Sequence, residues 1–200
     1  TVTNGIIILI PLQVLGWYGL TRDAGVYNAG LRVSMFVGAF GVVVKSLIVR
    51  RERDLVDRDS GRGRQVARAA LSVLPWLLIC VVIAANPELV VTLFGDSFGA
   101  LESIIAILLV AQSVNVAGFP IETRAVLAGE RRVLNVASAI TLVVAAALTP
   151  ILVSRYHLLG AAWAFLSTIV VSRVVLASLY LREPARRARR EPQAREAGPS

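Results

Sequence analysis

Three cations lie inside long apolar runs of this 200-residue chain, where a charge is costly. Arg32 and Lys45 interrupt the run "YNAGLRVSMFVGAFGVVVKSLIVR", and Arg173 interrupts "STIVVSRVVLASLY". At the centre of a membrane-spanning helix, a cation costs about 2.5–3.5 kcal/mol on insertion scales. Each of these residues must either extend its charged end to the membrane surface or face a hydrated protein interior, where it could bind an anion.

Depth within the run separates Arg173 from the other two cations. Arg173 is about eight residues from the end of its run, or about 12 Å along a helix. Lys45 lies only about 7–8 Å before Arg50, and Arg32 lies about six residues inside its run. Extension to the surface is an open alternative for both, and Arg32 could instead pair with Glu102. We predict that Arg173 faces a bundle interior, and we include Arg32 and Lys45 as candidate substrate-binding residues.

Two amide side chains mark a second polar position. Gln112 and Asn115 lie near the middle of another apolar run and are three residues apart, so they share one helix face. Such amides usually form hydrogen bonds between helices, and the wall of a polar cavity is the alternative. We include both residues as candidate substrate ligands.

The sequence predicts no catalytic, metal or cofactor site. His157 is the single histidine and Cys80 the single cysteine, which disfavours a metal cluster. The glycine-rich "GRGRQ" follows no strand, so it is not typical of a phosphate-binding loop. The basic residues form no stripe that alternates with exposed aromatic residues, so nucleic acid is not an expected partner. We expect the chain not to be an enzyme.

The elements that carry these residues are predicted to be transmembrane helices. Hydrophobic residues make up 56% and charged residues 17% of the chain, whereas about a quarter of a typical soluble domain is charged. Transmembrane strands would be only about 9–11 residues long. The predicted class is therefore an all-α polytopic membrane protein with six spans: 3–20, 26–49, 66–85, 100–119, 132–153 and 158–181. Residues 1–181 form the bundle, and 182–200 form a basic, disordered tail.

The basic residues also predict an orientation in the membrane. Sixteen of the 21 lie in the loops 50–68 and 119–132 or in the tail, whereas only Arg22 and Arg155 lie on the opposite side. Short cytoplasmic loops are enriched in Lys and Arg. These loops and both termini are therefore predicted to be cytoplasmic, in a multi-pass protein of the cytoplasmic membrane. Because the chain begins at Thr1 and shows no signal peptide, we expect a processed product or a fragment.

Three stretches resemble prokaryotic polysaccharide flippases, part of the group that includes multidrug (MATE) exporters and lipid II flippases. They are "RDAGVYNAGLRV" (22–33), "NPELVVTLFGDSFGALESIIAILLVAQSVN" (86–115) and "HLLGAAWAFLSTIVVSRVV" (157–175). Their order and spacing are similar to those of the C-terminal half of an oligosaccharide-lipid flippase. The resemblance covers nearly all of residues 1–181.

The resemblance implies one six-helix bundle of a two-bundle transporter that works by alternating access. Members of the family move undecaprenyl-pyrophosphate-linked oligosaccharides across the membrane. Arg32, Lys45 and Arg173 would match the cationic cavity of that family. Because the chain supplies six spans, a second bundle would have to come from a missing N-terminal half or a second copy. Membrane lipids and the lipid-linked oligosaccharide are the other expected partners.

Several alternatives remain open at this point. A multidrug cation antiporter of the MATE type would favour acidic residues deep in the membrane, and the deep charges here are basic. A sugar polymerase or glycosyltransferase would need a large loop or catalytic domain, and every loop here is short. A nontransporting subunit of cell-envelope glycan assembly would need no cation inside the membrane.

Overall fold

Every regular element that the structure describes is a helix. The structure, a computed structural model, describes residues 2–36, 38, 78, 80–83, 85, 86, 88, 92, 95, 99–127 and 129–196. The helices are α1 (Val2–Trp17), α2 (21–36), α3 (Leu101–Ala117), α4 (Phe119–Leu127) and the segment Arg131–Glu196. No strand occurs within these ranges. The predicted all-α class is confirmed.

The segment Arg131–Glu196 is two helices that meet at His157. There the backbone has φ 49° and ψ −121°, which is not helical, so we name the two parts α5 (131–156) and α6 (158–196). Val133 and Ala137 of α5 pack against Leu176 of α6. Since these positions are almost equally far from His157 along the chain, α5 and α6 must fold back on each other as an antiparallel pair.

One helical segment in the described residues, Arg131–Tyr180, is long and apolar enough to cross a membrane. Its 50 residues would extend about 75 Å if straight, far more than the roughly 30 Å of bilayer hydrocarbon. The break at His157 divides it into arms of about 39 and 35 Å. The arms coincide with the predicted spans 132–153 and 158–181.

The other four predicted spans are not established by the structure. The apolar helices Ile7–Trp17 and Leu101–Ala117 are shorter. The spans 26–49 and 66–85 lie partly outside the described residues. The six-span bundle therefore stays a prediction, and the all-helical fold is what the structure shows.

The main apolar core joins α1, α2, α3, α5 and α6. Tyr27, Leu108 and Phe165 are among its fully buried side chains. Gly30 brings α2 close to α3, because a Cβ atom there would lie only 2.8 Å from the Leu108 side chain. A second, smaller cluster lies where α4, α5 and α6 meet; its members are Ile121, Val133, Leu134, Ala137, Val175, Leu176 and Leu179. The site described below lies between these two clusters.

The backbone of α6 continues to Glu196, through most of the predicted tail. The sequence predicts disorder there because the segment is polar and contains proline. Its many Ala and Arg residues are nevertheless among the best helix formers, and no strand partner competes for them in the described part of the chain. The structure thus gives 182–196 a helical backbone, and the division into a bundle (1–181) and a cytoplasmic tail (182–200) stays a prediction.

Candidate substrate site

Arg173 lies on α6 between the two apolar clusters. Ile169, one turn earlier, belongs to the main core, and Leu176, about one turn later, belongs to the second cluster. The Arg173 side chain is only 12% exposed. The inward orientation predicted from its depth is therefore present in the structure, while its role as a substrate ligand stays a prediction.

The Arg173 guanidinium has three partners near the junction of α3 and α4. Nη1 donates to Oε2 of Glu122 at 2.8 Å, and the Glu122 side chain is 17% exposed. Nη2 donates to Oδ1 of Asn115. The ring centroid of Phe119 lies 5.7 Å from Cζ, within the range of a cation–π interaction. One cation thus ties α6 to both α3 and α4.

Local backbone geometry places these partners together. Helix α3 ends at Ala117 and is capped by Gly118, whose N–H donates to the carbonyls of Val114 and Asn115; α4 begins at the next residue. Glu122 is in the first turn of α4, where the helix dipole favours an acid. The Arg173 stem crosses this corner: a Cβ atom on Gly118 would overlap Cδ and lie 2.7 Å from Nε. The corner therefore requires a glycine for Arg173 to reach its partners.

The two amides continue the polar contacts toward α2. Asn115 Nδ2 donates to Oε1 of Gln112 at 3.2 Å, and Gln112 is buried. A Cβ atom on Gly38 would lie 3.8 Å from the same Gln112 oxygen. The predicted shared face is confirmed. Through Asn115, both amides belong to one hydrogen-bonded chain that continues through Arg173 to Glu122.

The structure does not bring Arg32 into this site. On α2, the buried face contains Tyr27, Leu31 and Ser34, and Arg32 lies about 140° around the helix from Tyr27. Its side chain is exposed. The suggested pair with Glu102 is wrong: both side chains are exposed, and no ion pair joins them. Lys45 lies outside the described residues.

The polar site around Arg173 contains one hydrogen-bond donor that has no acceptor among the described residues. Nε of Arg173 is buried and has no hydrogen-bond partner among the described residues. A guanidinium carries five N–H donors and no acceptor. Leaving a buried donor unpaired costs about 1–3 kcal/mol, so a further oxygen acceptor here would be stabilising.

The sequence did not identify Glu122, Phe119 or Gly118 as site residues. Gly118 lies near the end of the predicted span 100–119, whereas Phe119 and Glu122 lie in the stretch 119–132, predicted to be a cytoplasmic loop. A usable signal was present in "GFPIET", where an acid follows a glycine and a proline as in a helix start. Within the described ranges, no three His, Cys, Asp or Glu side chains group closely enough to hold a metal ion.

Comparisons with protein-family models, with curated proteins and with solved structures found no match to this chain. The resemblance to polysaccharide flippases therefore stays a prediction from the sequence.

Proposed function

We propose that the chain is one helical bundle of a transporter that moves an anionic, undecaprenyl-pyrophosphate-linked oligosaccharide across the cytoplasmic membrane by alternating access. The observation that carries this proposal is Arg173, a cation turned inward between two apolar clusters and oriented by Asn115 and Phe119. The other partners in the proposal are membrane lipids and a second bundle, from either a missing N-terminal half or a second copy.

A membrane location is supported by apolar side chains on the outer faces of α5 and α6. In a soluble helix, the exposed face is polar. Here, exposed apolar residues recur at helical spacing on both arms: Val136, Ile140, Val143 and Ile151 on α5, and Leu159, Trp163, Val170 and Val174 on α6. Such surfaces suit contact with lipid, and the one-sided distribution of arginine in the sequence agrees with this location.

An anionic cargo is supported by the chemistry of the arginine. A guanidinium remains charged under all physiological conditions, and its planar donors match the oxygens of a phosphate group. A pyrophosphate headgroup cannot enter hydrocarbon unaided, because an unpaired charge there is very costly. An arginine held inside the bundle supplies the opposite charge while the lipid tail stays in the bilayer.

The alternatives gain less support from the site. A cation antiporter needs a carboxylate available to a proton or an organic cation, and the Glu122 carboxylate is paired with Arg173. A nontransporting subunit could use the same ion pair only to hold α6 against α3 and α4. The two roles differ in whether the arginine contributes to binding of an anionic lipid.

Binding to undecaprenyl pyrophosphate tests the proposal. The chain is placed in phosphatidylcholine nanodiscs, and the lipid dissociation constant is measured for the native chain, Arg173→Ala and Arg173→Lys. Charge-assisted hydrogen bonds contribute about 1.5–3 kcal/mol, so Arg173→Ala should weaken binding at least about tenfold. Arg32→Ala removes the same charge from an exposed position and should change binding less than about twofold.

A folding control separates binding from structure. The double variant Arg173→Gln/Glu122→Gln removes both charges together and so leaves no buried charge unpaired. Its helicity is checked by circular dichroism before binding is measured. Native affinity in this helical double variant would contradict the proposal and favour a purely structural ion pair.

A further inference from the structure

We infer that Glu122 is a built-in competitor for the cargo: its carboxylate occupies Arg173 in the empty site, and a phosphate group of the cargo exchanges with it. This inference rests on the proposed function and concerns how the same site is regulated. The two acceptors offer the guanidinium the same chemistry, a negatively charged oxygen at about 2.7–2.9 Å.

The first step of the inference is that both anions cannot stay together. Glu122 Oε2 lies 2.8 Å from Arg173 Nη1, and both side chains are largely buried. A phosphate oxygen at the same donor would place two negative charges in a largely buried space, where their repulsion is weakly screened. Anion binding therefore requires the carboxylate to leave.

The second step is that Glu122 can leave without releasing Arg173 from its other contacts. Glu122 is on α4, a nine-residue helix between Gly118 and Gly129, and its side chain is partly exposed at the edge of the cluster. Asn115, by contrast, is on α3 and holds Nη2 independently. After the exchange, Nη1 is open to a phosphate oxygen, and Nε is a further donor without a partner in the described residues.

The consequence is that Arg173 has a negatively charged partner at every stage of the cycle. The carboxylate neutralises Arg173 before cargo arrives and again after cargo leaves. Glu122 also lowers the apparent affinity of the site for the cargo, because the cargo phosphate must displace the carboxylate from Arg173. When Glu122 pairs with Arg173 again, it displaces the cargo, and this makes release of the cargo at the far side of the membrane easier.

The test replaces the carboxylate by an uncharged group of the same shape. In phosphatidylcholine nanodiscs, Glu122→Gln should bind undecaprenyl pyrophosphate at least about fivefold more tightly than the native chain and release it more slowly. Glu102→Gln removes an exposed acid from α3 and should change affinity less than about twofold. Glu122→Ala, which also removes the hydrogen-bond acceptor, should tighten binding in the same direction.

The possible outcomes distinguish this inference from the proposed function. Unchanged or weaker binding by both Glu122 variants, with binding still lost in Arg173→Ala, would overturn the exchange and leave the transporter proposal standing. Native binding by Arg173→Ala would overturn both. Inorganic pyrophosphate and phosphatidylglycerol serve as further probes. If Glu122→Gln tightens binding only to these, exchange is supported, and the anion is not the lipid-linked cargo.

Discussion

At the scale of single residues, Arg173 is an ion-pair partner placed at the boundary of two apolar clusters. Removing one member of a buried pair commonly costs about 3–5 kcal/mol because the other charge is left unpaired, whereas removing both can be almost neutral. The substitution of Arg173 alone therefore mixes a folding effect with a binding effect. The double neutral variant is the informative one for function.

Gly118 provides a way to displace Arg173 without altering any charge. In Gly118→Ala, the new Cβ would overlap the arginine Cδ, so the side chain must move away from Glu122 and Asn115. We expect the free energy of unfolding to fall by about 1–3 kcal/mol, as in other overpacked sites.

Denaturant unfolding in detergent micelles, followed by circular dichroism, measures this change. Gly25→Ala is the matched control, because nothing lies within 4 Å of a Cβ at that position on α2. It should be neutral or stabilising by less than about 1 kcal/mol, since alanine is the better helix former. Equal effects of the two substitutions would show that the Gly118 corner does not position the arginine.

The residue scale also shows which parts of the site the sequence could reveal. The inward orientation of Arg173 was predictable because a charge this deep in an apolar run cannot easily extend to the membrane surface. Gln112 and Asn115 were predictable because residues three apart share a helix face. Glu122 was not, because its pairing joins positions 51 residues apart and depends on how α4 packs on α6.

At the scale of elements, the break at His157 makes α5 and α6 an antiparallel pair. Its φ of 49° is rare for any residue other than glycine. The two helices pack closely just beyond this break, because a Cβ atom on Gly160 of α6 would overlap the carbonyl oxygen of Leu152 of α5. A strained residue and a glycine together turn one apolar segment into two arms of membrane-spanning length.

The strain at His157 predicts a stabilising substitution. Glycine reaches positive φ without a steric penalty, and strained backbone positions cost about 1–3 kcal/mol each. We expect His157→Gly to raise the free energy of unfolding by about 1 kcal/mol or more.

Tyr156→Gly is the comparison for this prediction. Tyr156 is the exposed neighbour within the helix, and glycine there should cost about 1 kcal/mol. Both variants are measured by the same micelle unfolding experiment. A loss of stability in His157→Gly as large as that in Tyr156→Gly would mean that the backbone at 157 is helical.

The element scale explains why the sequence does not show which way Arg32 faces. A helix that is apolar on almost every side gives little periodic signal, so the sequence shows that α2 is apolar but not which face packs inward. Burial of Tyr27, Gly30 and Ser34 defines that face only after the helices assemble. The length of the apolar runs, by contrast, was enough to locate the break between α5 and α6.

At the scale of the whole molecule, the sequence predicts that the turn at His157 and the start of α5 lie on opposite sides of the membrane. In a Cys80→Ala background, an impermeant maleimide should label Arg155→Cys in intact cells. It should label Arg131→Cys only after the membrane is permeabilised. Both positions are exposed, whereas Cys80, the native thiol, is buried.

The labelling result bears directly on the predicted topology. The opposite pattern would place the arginine-rich loops outside, against the usual distribution of basic residues. Labelling of both positions in intact cells would show that α5 does not span the bilayer.

The chain order of the ion pair has a consequence for biosynthesis. Glu122 and Asn115 precede Arg173 by 51 and 58 residues, so both have left the ribosome before the arginine does. In the membrane protein that we propose, the carboxylate of Glu122 and the amide of Asn115 would therefore be inserted before α6 is. Arg173 would then meet both of its partners as soon as it is inserted.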